Sequence, residues 1–416
     1  MSQTTKLLTY VIIGLVIGAG AGWVIYPVVN PPLIIAKYVA KTTYDALKTE
    51  SDKAKTDLAK AQSDLTKAQS DLTKAQSDLT KAQSDLTKAK SDLTAARTEI
   101  SDLKAPKKVG LILATGGLGD KSFNDISYAG VQKAKTDLGI LFDYVEPKAI
   151  AEYEGYQRDF AKSGEYVLII CVGFDQADAL TKIAGEYPNQ NFAIVDMVVD
   201  KPNVASLTFR ANEASFLVGV VAGMMTETGK VGFVGGMDIP LIRDFFVGYE
   251  AGAEWANPSV TVSEPVFVGG WGDPGRGKEL ATSLIEGGND AIYSAAGKSG
   301  LGALEAAHDE AIIGLGVDAC QCYLYPEIVA SATKRVDEAV YQMILNAIVG
   351  KFKGGFYSGG LKEKWVGMCR LPDEEPLWEE VFSFQHSPLP ADALAKVKEA
   401  RDLIIAGDIT VPSGYG

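Results

Sequence analysis

Apolar and polar positions recur with three different periods along the chain, and each period predicts a different kind of element. An unbroken apolar run, LLTYVIIGLVIGAGAGWVIYPVV, fills residues 7–29 behind Lys6 and holds no charge. At ~1.5 Å per residue, a helix of that length matches the ~30 Å hydrocarbon core of a bilayer. Trp23 and Tyr26 fall near its outer end, where interfacial aromatics are favoured. A cleaved signal peptide competes with this reading, but the run is long for one, and no Cys follows it to carry a lipid. The pairs Gly14–Gly18 and Gly18–Gly22 have helix-packing spacing, although a membrane helix tolerates small residues anyway. Lys6 lies on one side of the run and Lys37 and Lys41 on the other. The expectation is a single-pass N-terminal anchor in the cell membrane, with the rest of the chain extracytoplasmic.

The second period is seven. From about residue 43 to 103 the unit SDLTKAQ recurs. Leu58, Leu65, Leu72, Leu79, Leu86 and Leu93 hold one heptad position, and Ile100 continues it. Ala54, Ala61, Ala68, Ala75, Ala82, Ala89 and Ala96 follow at alternating steps of four and three. Leu at one seam position and Ala at the other predict a coiled-coil stalk about 90 Å long. Asp and Lys flank the seam at spacings that allow helix-surface ion pairs. Alanine buries little area, so such a seam is weak per heptad and leaves open a dimer, a trimer or a lone helix. Pro106 ends the pattern.

Beyond Pro106, apolar runs alternate with helix-period stretches. KVGLILAT, YVLIICVG and FAIVD read as buried strands, with helices over 123–138 and 175–186 between them. After a helix over 213–225 the pattern restarts with KVGFVGG, and further strands are expected at 260–268, 291–294 and 313–317. Repeated β-α-β order with short glycine loops predicts parallel sheets covered by helices on both faces. Two successive runs predict two doubly wound, Rossmann-like lobes. Ligands in such sheets bind beyond the carboxyl ends of the strands, so a cleft is expected between the lobes. The organisation is therefore an anchor over 1–30, a linker and stalk over 31–105 with heptads at about 51–103, and a two-lobed α/β module over 106–416.

Composition narrows the function. The formal net charge of −13 disfavours nucleic acid as a partner. Four cysteines, Cys171, Cys320, Cys322 and Cys369, are too few for a disulfide framework in 416 residues. Cys171 reads as a small buried hydrophobe at a strand end, and the Cys320–Cys322 pair alone specifies nothing. With His308 and His386 the only histidines, no metal site or cofactor is expected. Asp196, Asp318 and Asp273 are carboxylates an enzyme could use, but no nucleophile–base pair or catalytic histidine accompanies them, so catalysis is not expected.

The loop GGLGDKSFND, residues 116–125, joins the first strand to a helix and can turn backbone N–H groups toward a polar ligand. It is neither a dinucleotide fingerprint nor a Walker loop. This loop, followed in order by NFAIVD, ANEASFLVGVVAGMMTETGKVGFVGGMDIP, VGYEAGAEWANP, GGWGDPGRGKELA, YSAAGKSGLG, GLGVDACQ and SATKRVDEAVYQMI, resembles the basic membrane protein family. That family comprises solute-binding proteins of ABC importers and includes purine-nucleoside receptors. The resemblance covers nearly all of 107–416. It implies a periplasmic-binding-protein type I fold, two lobes closing about a hinge, and a membrane permease as partner.

The resemblance also implies site residues. A nucleoside base would be sandwiched between rings at the positions of Phe123 and Trp271, where stacking is worth about 1–3 kcal/mol per base. Gly297, Asp318 and Lys334 match positions that hold ribose hydroxyls. Asp196 is a further candidate, and Ser122 and Asn124 are polar contacts. A carboxylate accepts two hydroxyl hydrogen bonds, and a neighbouring lysine keeps it ionised. Each has a plainer role available: Asp196 and Asp318 could cap helices, Lys334 could sit on a helix surface, Phe123 could pack under its loop and Trp271 could be an exposed loop aromatic. Ala114 replaces an Asp that reads the base in many nucleoside-binding members, and Gly119 and Cys320 replace acidic residues. Other solutes, such as a pyrimidine nucleoside or a flavin, therefore remain in view, as does an anchored surface receptor or sensor. Homo-oligomers through the coiled coil are a further expectation.

Overall fold

The computed structural model of the chain describes residues 41–101, 106–371 and 389–415. By its internal contacts the chain divides between Asp92 and Leu93 into two compact units. Helix α1 (Lys41–Ser101) carries the heptad repeat. No Gly or Pro interrupts it, and each repeat returns a threonine hydroxyl to the carbonyl four residues back, as Thr66 does to Gln62 and Thr73 to Gln69.

The larger unit begins β1 (Lys108–Ile112), α2 (Phe123–Leu138), β2 (Leu141–Val145), α3 (Tyr153–Ser163), β3 (Tyr166–Val172), α4 (Ala177–Glu186), β4 (Phe192–Val195), β5 (Val204–Phe209). It continues α5 (Ala211–Met225), β6 (Lys230–Gly235), α6 (Pro240–Ala256), β7 (Thr261–Val262), β8 (Val266–Phe267), α7 (Pro274–Glu286). Then come β9 (Ala291–Ala295), α8 (Lys298–Asp309), β10 (Ile313–Asp318) and β11 (Ile328–Lys334). It closes with α9 (Val336–Ile348), β12 (Gly355–Gly359), β13 (Val366–Met368) and α10 (Ala391–Ala406).

These strands build two sheets. One has six strands in the order β12-β5-β4-β3-β1-β2, all parallel. The other has seven, β13-β11-β10-β9-β6-β7 with β8 also on β6, and only β13 runs antiparallel. Central strands are covered on both faces, which is why they read as continuous apolar runs: β3, YVLIICV, is buried at all but one position. Helix α5 is apolar nearly all round because it is enclosed on nearly every side.

The chain crosses between the sheets three times, after β5, after β11 and between β12 and β13. Two backbone bonds tie these crossings together: Arg210 N donates to Gly359 O and Arg335 N to Trp365 O, each at 2.8 Å. This is the hinge of a type I periplasmic-binding-protein fold. Helix α9 returns to pack on α2 of the first lobe. Their approach is so close at Gly130 that a Cβ there would collide with the backbone of Asp337.

Two expectations need correction, and one open point is filled in. The coiled coil does not form among the described residues. The seam leucines Leu58, Leu65, Leu72, Leu79, Leu86 and Leu93 are 42–59% exposed, where a coiled coil would seat them as knobs in holes. The described residues show one solvated helix, and oligomers through this seam are not evidenced by them. The anchor expected over 7–29 lies outside the described residues, and among those described no helix is long and apolar enough to cross a membrane. Membrane localisation through a single-pass helix therefore has no structural support. Finally, four cysteines did not argue for a disulfide, yet Cys320 and Cys369 form one across 49 residues of sequence.

Candidate ligand-binding site

The site begins with how α2 is capped. Its N-cap residue, Ser122, makes no side-chain cap bond. Asp120 does that work instead, accepting from the N–H groups of Asn124 (2.8 Å), Ser122 (3.0 Å) and Asp125 (3.1 Å). Burial pushes the Asp120 carboxyl up to about 6, against the pull of those three donors. Asp125 in turn accepts from Gly119 N and Lys121 N, which fixes the glycine loop. The Ser122 hydroxyl is thereby free to reach the other lobe, where it donates to Asp318 Oδ2 at 2.6 Å.

Asp196 and Asp318 stand just past β4 and at the end of β10, one in each lobe. Both are non-glycine residues in the left-handed region, with φ of 66° and 61°. That conformation costs energy and turns each carboxylate back toward the space between the sheets. Lys334, at the end of β11, meets both: its Nζ is 2.7 Å from Asp196 Oδ2 and 3.5 Å from Asp318 Oδ1. The ammonium also lies 4.5 Å from the ring centroid of Phe123, 5.4 Å from Phe245 and 5.6 Å from Phe209. Burial works to strip the lysine's proton, but the two carboxylates outweigh it and hold its pKa above the ordinary value. One Asp318 oxygen, Oδ1, accepts no hydrogen bond among the described residues.

Trp271 follows β8 on a loop pinned by Ser299, whose N–H donates to the Trp271 carbonyl at 3.0 Å. The indole lies against the backbone of Gly236, where a Cβ would strike the ring. Glycine is required there by that close approach. Gly297, with φ of 54°, starts α8 next to it. Asp273, a conceivable catalytic carboxylate, instead caps α7 by accepting from Arg276 N at 2.9 Å.

Together these residues line one cleft between the lobes, with about 640 Å³ of empty space partly continuous with solvent. Phe123, Asn124, Asp196, Trp271, Gly297, Asp318 and Lys334 all border it, and Ser122 stands behind it on Asp318. Asn124 spends its Oδ1 on the N–H of Ala114. The lining is mostly apolar with a few convergent polar groups, the make-up of a small-molecule site.

Sequence reasoning missed Phe174, Asp175, Leu241, Ile242 and Phe245, which also line the cleft. Phe174 and Asp175 follow β3 directly, and the position just past a parallel strand was the available signal. Asp175 is held by the Tyr153 hydroxyl at 3.1 Å, and burial raises its pKa. Its Oδ1 and the Ala114 methyl flank the same point, lying 3.1 and 3.3 Å from where a side chain on Gly173 would begin.

A family model described as ABC transporter substrate-binding protein, PnrA-like, matches residues 107–389. An uncharacterized lipoprotein of Pyrococcus abyssi is 34% identical over 72% of this chain and 78% of its own length. Basic membrane protein D of Borreliella burgdorferi is 35% identical over 68% of this chain and 84% of its own. Among solved structures, an ABC transporter system solute-binding protein from Aeropyrum pernix K1 superposes with a TM-score of 0.66. It is 32% identical, and the match covers 74% of this chain and 94% of that one.

Proposed function

This chain belongs to the PnrA-like family of ABC transporter substrate-binding proteins, and on that premise we propose that its cleft binds a nucleoside by aromatic stacking. The coarser function follows from the family and the fold: it is a solute-binding protein of an ABC importer, which binds its solute without turning it over, and its partner is the importer's permease.

The observation that carries the finer reading is the pairing of unlike walls in one cleft. Phe123 and Trp271 both line the cleft, and aromatic rings are stacking partners for a flat heterocycle. Asp196, Asp318 and Lys334 offer two carboxylates and an ammonium, all nearly excluded from water. Asp318 Oδ1, which among the described residues faces only the Lys334 ammonium at 3.5 Å, can accept a hydrogen bond from a hydroxyl, and a ribose supplies vicinal hydroxyls. A free base would leave those carboxylates without ligand partners, and a simple sugar would leave the rings uncovered. Ala114 removes the acceptor that many relatives use to read the base; Asp175, which also lines the cleft, is the carboxylate proposed to take its part.

Thermal unfolding of the full chain with inosine, adenosine, uridine, riboflavin and the free bases tests this. A ligand that binds only the folded form raises the midpoint, and the stabilisation grows with the logarithm of one plus the ratio of ligand concentration to Kd. Inosine or adenosine should raise it while hypoxanthine and adenine do not. A shift with riboflavin alone would replace the nucleoside by a flavin, and a shift with none would remove the reading.

A further inference from the structure

Behind the cleft, Cys320, Cys322 and Cys369 form a buried cluster of their own, their sulfurs within 4.8 Å of one another. Cys320 and Cys369 are bonded, with Cα atoms 5.5 Å apart. Cys322 is a thiol, and its Sγ lies 3.2 Å from Cys369 Sγ. A third sulfur beside a disulfide is the arrangement for exchange, in which a thiolate attacks one bonded sulfur and expels the other. We propose that these three residues are a thiol–disulfide exchange site in which Cys369 alternates between Cys320 and Cys322.

The step is balanced within the chain. Cys322 loses its proton, its sulfur bonds Cys369 Sγ, the Cys320–Cys369 bond breaks, and Cys320 leaves as a thiolate that takes up a proton. One disulfide and one thiol exist before and after, so no oxidant or reductant enters. Burial raises the Cys322 pKa and slows the attack, while the Arg370 guanidinium beside it favours the thiolate. Arg370, next to Cys369, is itself held at φ of 83°, a strained conformation for a side chain of its size.

The exchange has something to move. Gln321 lies between the two alternating cysteines. Its Oε1 accepts from Val317 N at 2.9 Å, and its Nε2 donates to Lys121 O of the opposite lobe at 3.1 Å. Its own N–H donates to Ser331 Oγ, while Cys369 N donates to Ser331 O. Shifting the tether from one side of Gln321 to the other therefore acts on a clasp between the lobes, three residues after Asp318.

The test uses the full chain, purified without reductant, equilibrated at mildly alkaline pH, acid-quenched, then denatured and labelled with N-ethylmaleimide while still acidic, where exchange is arrested. Fragmentation sequencing then locates the label. We expect it on both Cys320 and Cys322 and absent from Cys369. Cys171, a thiol throughout, is labelled in either case. Label confined to Cys322 within the cluster, or label on Cys369 as well, would overturn the exchange. This measurement needs no substitution, so folding of a variant does not limit it. Amide hydrogen exchange then compares Cys320→Ser with Cys322→Ser, which fix the two isomers. The Val317 amide should exchange faster in Cys320→Ser by on the order of tenfold. Equal rates would overturn the coupling to Gln321.

Discussion

Replacing Lys334 by methionine keeps the length of the side chain and removes the one charge that Asp196 and Asp318 share. The three side chains are only 4%, 5% and 7% exposed, so water cannot take the ammonium's place. At an effective dielectric near 20, charges 2.7 and 3.5 Å apart attract by about 6 and about 5 kcal/mol. Losing the lysine's own desolvation cost offsets part of this, and proton uptake by a stranded carboxylate offsets more. The net expectation is a loss of about 3–5 kcal/mol, the range for breaking a buried ion pair on one side. Urea denaturation followed by tryptophan fluorescence should show a lower midpoint with an unchanged slope. Adding Asp196→Asn to Lys334→Met should recover part of the loss. The deficit should also narrow as pH falls, because burial raises the Asp196 carboxyl above the ordinary carboxylate range and its protonation relieves the charge left without Lys334. A loss below about 1 kcal/mol, or no recovery in the double variant, would refute the view that Lys334 neutralises both carboxylates.

Three further outcomes are expected. Asp120, pushed by burial up to about 6 from 3.8, binds its proton more tightly folded than unfolded, so its contribution to stability falls as pH rises from about 4 to about 6. Denaturation midpoints across that window should show this slope in the wild type and lose it in Asp120→Asn. Gly130→Ala places a methyl against the Asp337 backbone and should cost about 1–3 kcal/mol by the same assay, because α2 and α9 must separate. Leu72→Ala, at a seam position 59% exposed, should change neither helicity by circular dichroism nor sedimentation, and a drop in both would restore a packed seam.

How much of this was legible depended on whether the signal was local. The helix of α1 followed from an uninterrupted repeat, and β1, β3 and β4 from short apolar runs that only a strand covered on both faces requires. Whether the Leu58–Leu93 seam has a partner is not a property of its period, and the alanine half gives little area to attract one. The edge strand β2 is half exposed and carries no clean alternation, so LFDYV passed unread. The stretch 260–268 read as one strand but forms two short ones, β7 and β8, both on β6. Around the cleft, family order named Phe123, Trp271, Asp318 and Lys334. It did not reveal that Asp175 is held by Tyr153 at the cleft, or that Cys320 reaches Cys369, since each depends on segments meeting across long stretches of chain.

The central claim is that the two lobes hold a flat, hydroxyl-bearing solute between Phe123 and Trp271. Calorimetric titration of the wild-type chain and of Trp271→Ala with inosine tests it most directly. The wild type should bind, and the variant should bind more weakly by roughly 1–3 kcal/mol, about a 5- to 150-fold rise in Kd. Equal affinity in the two proteins would contradict stacking on Trp271, and no heat with inosine in the wild type would contradict the nucleoside itself.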